Sequence, residues 1–184
     1  NEYELQYVTI IHDNANIGLF GYVNSSGDLK NFNVNNAYVY ATNSTTTYNI
    51  GVVAGVSNGN MTNIKVLRGY LRDNNVKTGT YTSKNIGGVV GLLSGNGKLL
   101  QNKTQIVVSN RNIGGVVGKL SKSTLEQSSS HRIYNNVKHN ELSTGSVSTV
   151  VNTITCYGGN VGGLVGYAEG DGTKQFTILD AYNT

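Results

Sequence analysis

Proline and tryptophan are absent from this 184-residue chain, cysteine occurs once, histidine three times, and charged residues make up only 13 %. The lone Cys156 leaves no disulfide framework and no cysteine-based zinc site within the chain. It sits in a strand-like run beside Thr155 and Tyr157, which reads as a small buried thiol rather than a nucleophile. The histidines, His12, His131 and His139, never form the His-Glu-x-x-His of a zinc peptidase, and no acid lies between the last two. Surface histidines are therefore expected, with no metal, no cofactor and no catalytic residue in this chain. No stretch approaches the roughly 18 apolar residues of a membrane span, so no membrane insertion is expected.

Low charge does not mean disorder here, because 38 % of the residues are hydrophobic and they are spread evenly. The net charge of +4 comes from scattered positions such as Lys65, Lys98, Lys119 and Arg132. There is no dense basic run with interleaved aromatics, so nucleic acid is not an expected partner.

What the chain does contain is one phrase repeated five times: Asn16–Gly21, Asn49–Gly55, Asn85–Gly91, Asn112–Gly118 and Asn160–Gly166. The fullest copies read Asn-Ile-Gly-Gly-Val-Val-Gly, and their starts are 33, 36, 27 and 48 residues apart. A unit this short cannot bury its own apolar face, so neighbouring units must stack. Stacked in register, the Asn residues would form an amide ladder and the Ile and Val residues an interior column. The glycines would serve either positive φ or close backbone approach at a bend. A phosphate cradle would need a following helix, and none is expected. The 48-residue interval admits two readings, two units or one unit with an excursion. Within it, Ser123–Asn140 has a poor helical pattern and is expected to be a degenerate coil or an excursion.

A Gly/Ser/Asn turn follows each phrase: Asn24–Asp28, Ser57–Asn60, Ser94–Gly97, Ser121–Ser123 and Glu169–Gly172. Then comes a strand whose core positions fall at offsets of three and two: Leu29, Phe32, Val34; Met61, Ile64, Val66; and Phe176, Leu179, Ala181. The middle copies, at Leu99, Asn102, Thr104 and Leu125, Ser128, Ser130, keep the spacing with polar substitutions. Such an offset predicts a bend or bulge. The fold expected is all-β: a right-handed parallel β-helix (β-solenoid) of about five to six coils with inserted loops. It forms a single domain over 1–184 that is expected to be a fragment of a longer chain.

These phrases, each followed by a turn and short strand, resemble the GLUG repeat over nearly the whole chain, from about Asn16 to Tyr182. The resemblance implies a right-handed parallel β-helix and a secreted or cell-surface setting. It extends to adhesin-like proteins and to the non-catalytic N-terminal region of immunoglobulin A-cleaving zinc metallopeptidases. The function expected is a scaffold or spacer presenting loops to a protein or glycan ligand. Substrate recognition within such a peptidase, and a carbohydrate-active β-helix enzyme, are the alternatives. No paired carboxylates fall at equivalent positions of adjacent units, as a glycosidase flank would require.

Candidate partner-binding residues fall in two places. Tyr38 and Tyr40 align with Tyr70 and Arg72 of the next unit, and Asn36 aligns with Arg68, which would build a strip on one face. The competing reading is that Tyr is simply a good strand residue with its hydroxyl in water. His131, Arg132, Tyr134 and His139 lie in the irregular interval. The inserted segments Tyr40–Thr47, Asn74–Lys84 and Ser121–Thr149 are the expected binding loops.

Overall fold

The computed structural model describes residues 3–42, 48–73, 84–109, 112–126, 129–130, 134–135, 153–156 and 160–183. Each copy of the phrase makes two short strands separated by a bend. Asn and Ile open the first strand, and the second begins within the apolar pair beyond the glycine. Asn16–Ile17, Asn49–Gly51, Asn85–Gly87, Asn112–Gly114 and Val161–Gly162 pair in parallel as one five-stranded sheet. Phe20–Val23, Ala54–Ser57, Val90–Leu93, Val117–Ser121 and Val165–Glu169 form a second. The strands beyond the turns form the third and largest sheet. There Tyr3–Gln6 and Thr9–His12 pair with Asp28–Ala41, which pairs with Asn60–Asp73 and then Gly97–Ser109. Every pairing among the described residues is parallel, and no helix occurs among them. The molecule is all-β, with parallel strands in stacked sheets, an arrangement compatible with a β-helix.

In the first two sheets, neighbouring strands are one phrase apart, which resolves the 48-residue interval. Ile113 pairs directly with Val161, and Val117 with Val165, so the interval is one unit. Its extra residues fall between Ser130, paired with Asn102, and Thr153, paired with Ile106. Thr124–Glu126 and Ser129–Ser130 are strands of the third sheet, so the start of Ser123–Asn140 is the degenerate strand rather than helix.

The core runs up the middle of the stack. Ile17, Ile50, Ile86 and Ile113 are buried in one column, with Val161 half-buried at its end. Met61, Ile64, Val66 and Leu71 enter from the third sheet and are also sealed from solvent. Each such side chain contributes about 1.5–3 kcal/mol by leaving water. The Asn ladder is continuous: Asn49 donates to Asn16, Asn85 to Asn49, Asn112 to Asn85 and Asn160 to Asn112, at 2.7–3.1 Å.

The phrase glycines serve close approach, not positive φ. A Cβ on Gly118 would lie 2.6 Å from the Ile86 nitrogen and 2.7 Å from the Gly91 oxygen. Positive φ is taken instead by Asn31 and Asn63 at one bend of the third sheet, and by Tyr7, Asn36 and Arg68 at the next. Asn31 and Asn63 explain the three-then-two offset. The left-handed residue uses the extra position, and Asn tolerates that conformation better than a branched side chain.

Two expected alignments are corrected. Gly97, not Leu99, pairs with Met61; Leu99 pairs with Ile64 and Asn102 with Val66, so this unit steps two then three. The left-handed Asn63 of the preceding unit has no counterpart here, because Lys98 pairs with Thr62 and Leu99 with Ile64, and the register shifts on either side of Leu99. In the last unit Ile178, not Phe176, pairs with Leu125. There the turn is lengthened by Asp171, whose carboxylate accepts from the Thr173 and Lys174 backbone amides at 3.0 and 2.8 Å.

Candidate functional site

The third sheet carries the predicted strip on its outer side. Strand alternation buries Val39, Ala41 and Leu71 and turns Tyr38, Tyr40, Tyr70 and Arg72 outward. Tyr38 pairs with Tyr70 and Tyr40 with Arg72, as the sequence alignment requires. The Tyr38 and Tyr70 rings are stacked, with centroids 5.1 Å apart and planes at 12°. Tyr40 is tilted at 47° to Tyr38, 6.4 Å away, and the Arg72 guanidinium carbon lies 5.7 Å from the Tyr40 centroid. Arg68 stands at the adjoining bend, exposed and with φ of 64°.

The row continues on both sides of these four residues. Thr9 pairs with Tyr38 and Ile11 with Tyr40, and Ile11 is exposed. On the other side, Tyr70 pairs with Ile106, Ile106 with Thr153, and Thr153 with Tyr134. Backbone register therefore puts Tyr134 in the same row as Tyr38 and Tyr70. His131, Arg132 and His139 lie outside the described residues, as do 43–47 and 74–83 and most of Ser121–Thr149.

Sequence reasoning missed three other polar groupings. On the turns, Asn58 donates to the Tyr22 hydroxyl at 2.7 Å and bonds the Ser94 hydroxyl through its own side-chain oxygen. At the last unit, Lys119 pairs with Glu169 and Lys122 with Asp171, each at 2.7 Å, while Ser121 donates to Glu169 at 3.0 Å. The Lys119 hydrogen bond is the main cause holding Glu169 below its ordinary pKa, and Ser121 and Lys122 add to it. Asp171 is held far below the carboxylate range, first by Lys122 and then by the turn amides and hydroxyl. Lys122 is raised by the same bond.

The third grouping is a cavity of about 380 Å³ beside the start of the third sheet, lined among the described residues by Asn60, Met61, Thr62, Asn96, Gly97, Thr124 and Glu126. Gly97 lies in its wall, in line with Met61 and Leu125 of the aligned units. Setting Leu99 against Met61 hides that glycine.

No group of three or more His, Cys, Asp or Glu side chains that could hold a metal occurs among the described residues. Glu169 and Asp171 are each bound to a lysine, an arrangement suited to structure rather than proton transfer. No family model matches the chain, and no curated protein or solved structure is significantly similar to it.

Proposed function

We propose that this chain is a non-catalytic, right-handed β-solenoid segment of the GLUG-repeat kind, carried by a secreted or cell-surface protein, which holds a binding face toward a protein or glycan partner. The support for a binding face is the Tyr38–Tyr70 stack with Arg72 set over Tyr40. Ordered columns from successive strands make that face rigid before any partner arrives, so little side-chain freedom is lost on binding. Stability in such a stack sums over the interfaces between units, which leaves an outer face free for recognition.

Because Tyr38 and Tyr70 cover one another's faces, the strip offers ring edges, hydroxyls and guanidinium donors rather than open aromatic planes. That suits a partner presenting hydrogen-bond acceptors across the sheet. The test screens the full chain against immobilised glycans and purified extracellular proteins, alongside the double variant Tyr70→Ala/Arg72→Ala. Binding that the double variant loses by at least about tenfold supports the reading. Binding indifferent to both substitutions, or turnover of a glycan or peptide by the chain, overturns it.

A further inference from the structure

We propose that the ligand of the outer strip is a linear uronate glycan, a chain bearing a carboxylate on alternate sugars, lying along Asn60–Asp73; this rests on the binding face proposed above and names what it takes. The strand sets one row of side chains outward. Gly69 and Leu71 are buried, so Arg68, Tyr70 and Arg72 follow one another on the outer side. Arg68 and Arg72 are exposed, and neither guanidinium has a carboxylate partner among the described residues. At the rise of a strand their Cα atoms lie roughly 13 Å apart, an interval of the order of a disaccharide rather than of one sugar. The Arg72 head is held over the Tyr40 ring, and the Tyr38–Tyr70 stack stands between the two cations. Asn36 lies opposite Arg68, between the paired residues Asn35–Leu67 and Ala37–Gly69.

Position in the sheet and spacing of charge select the ligand class. Asn60–Asp73 pairs with Asp28–Ala41 on one side and with Gly97–Ser109 on the other, so it offers no edge to an added peptide strand. Recognition on this face falls to side chains, which suits a chain carrying polar groups along its whole length. A guanidinium fork takes both oxygens of a planar carboxylate at once. The Tyr70 hydroxyl and the Asn36 amide then meet sugar hydroxyls between and beside the two carboxylates. A nucleic acid strand carries one charge about every 3.4 Å. Arg68 and Arg72 are set several times wider, with a tyrosine between them, which matches a sparsely charged chain. A densely sulfated glycan meets the same mismatch as nucleic acid.

The test titrates the full chain calorimetrically with an octasaccharide of hyaluronan, in which every second sugar bears a carboxylate. Parallel titrations use the hyaluronan disaccharide, neutral maltooctaose, a heparin octasaccharide, polyglutamate and single-stranded DNA. The expected result is that the hyaluronan octasaccharide binds tightest, and that the disaccharide, with one carboxylate, binds at least about tenfold more weakly. Arg68→Asn and Arg72→Gln should each weaken octasaccharide binding by about 3–10-fold, and added salt should weaken it further. Both side chains are exposed, so neither substitution opens the core. Lys174→Gln, which removes an exposed cation in the last turn, should leave the affinity unchanged. The proposal is overturned by an inert octasaccharide, by equal affinity for the disaccharide, by tighter binding of any other probe, or by a loss at Lys174→Gln equal to that at Arg72→Gln. A neutral glycan or a protein that binds instead, and is lost with Tyr70→Ala/Arg72→Ala, leaves the binding face standing without its uronate ligand. Octasaccharide binding indifferent to that double variant removes both.

Discussion

The Asn85 side chain donates to the Asn49 side-chain oxygen at 2.8 Å, and both residues are buried. Asn85 also accepts from Asn112, so its amide is used in both directions along the stack. Two polar groups inside the molecule are thereby satisfied by identical groups from neighbouring units. A buried amide is costly only when a partner is missing, and the repetition of the phrase supplies the partner.

Replacing Asn85 with Ala should therefore cost more than one hydrogen bond. It strands the Asn49 oxygen and one Asn112 donor together, for a loss of about 3 kcal/mol. At 2–4 °C per kcal/mol for a chain of this size, the melting temperature should fall by roughly 6–12 °C. Asn16 ends the ladder and is half-buried, so Asn16→Ala should cost only about 1 kcal/mol. Calorimetry on the two variants decides the matter: equal losses would show that the ladder does not act through its interior members.

A second comparison isolates the glycines. Gly118→Ala drives a Cβ against the backbone of Ile86 and Gly91, and backbone cannot swing aside. A loss of about 2 kcal/mol or more is expected. Gly21→Ala meets only the Asn16 carbonyl oxygen, at 3.3 Å, on the exposed side of the first unit, and should be nearly neutral. Urea titration of both separates them, since a shift in midpoint at constant slope reports stability alone.

Acid should loosen the last unit before the rest. The folded pKa values of Glu169 and Asp171 both lie below their ordinary ones. Groups depressed in the folded state contribute stability in full above their unfolded pKa and lose it as pH falls through the folded one. Amide exchange along Val165–Glu169, corrected for its intrinsic pH dependence, should thus lose protection below about pH 4, while Ile86 and Ile113 hold theirs. Lys119→Met with Lys122→Met should remove most of that pH dependence. Persistence of the full dependence in the double variant would place its origin elsewhere.

Much of the architecture was legible because identical residues in a stack must satisfy identical demands. The Asn ladder, the Ile column and the pairing of Tyr38 with Tyr70 all follow from aligning the phrase copies. What escaped was whatever depended on one residue of slippage. Leu99 matches Met61 in character, yet the turn before it keeps its length and puts Gly97 in that place. Phe176 matches the core pattern as well, but the turn around Asp171 adds residues and brings Ile178 into register. Side-chain type cannot reveal a turn's length. Of the two roles open to the phrase glycines, they take close backbone contact, and positive φ falls to Asn31, Asn63 and Arg68.

Arg68 poses the sharpest conflict between stability and use. It holds φ of 64° in a column with Asn36 and Tyr7, and the left-handed region costs a side chain such as Arg about 1–2 kcal/mol. Asn suits this conformation better, as its neighbour Asn36 shows. Arg68→Asn should accordingly raise stability by about 0.5–1 kcal/mol, and Arg68→Val should lower it by about 1 kcal/mol, because a branched side chain resists positive φ. If the outer face of the third sheet binds a partner, the same Arg68→Asn change removes an exposed guanidinium beside Tyr70 and Arg72 and should weaken binding several-fold. A more stable protein that binds less well would assign the strain at Arg68 to recognition. A rise in stability with unchanged affinity would leave that residue outside the binding face.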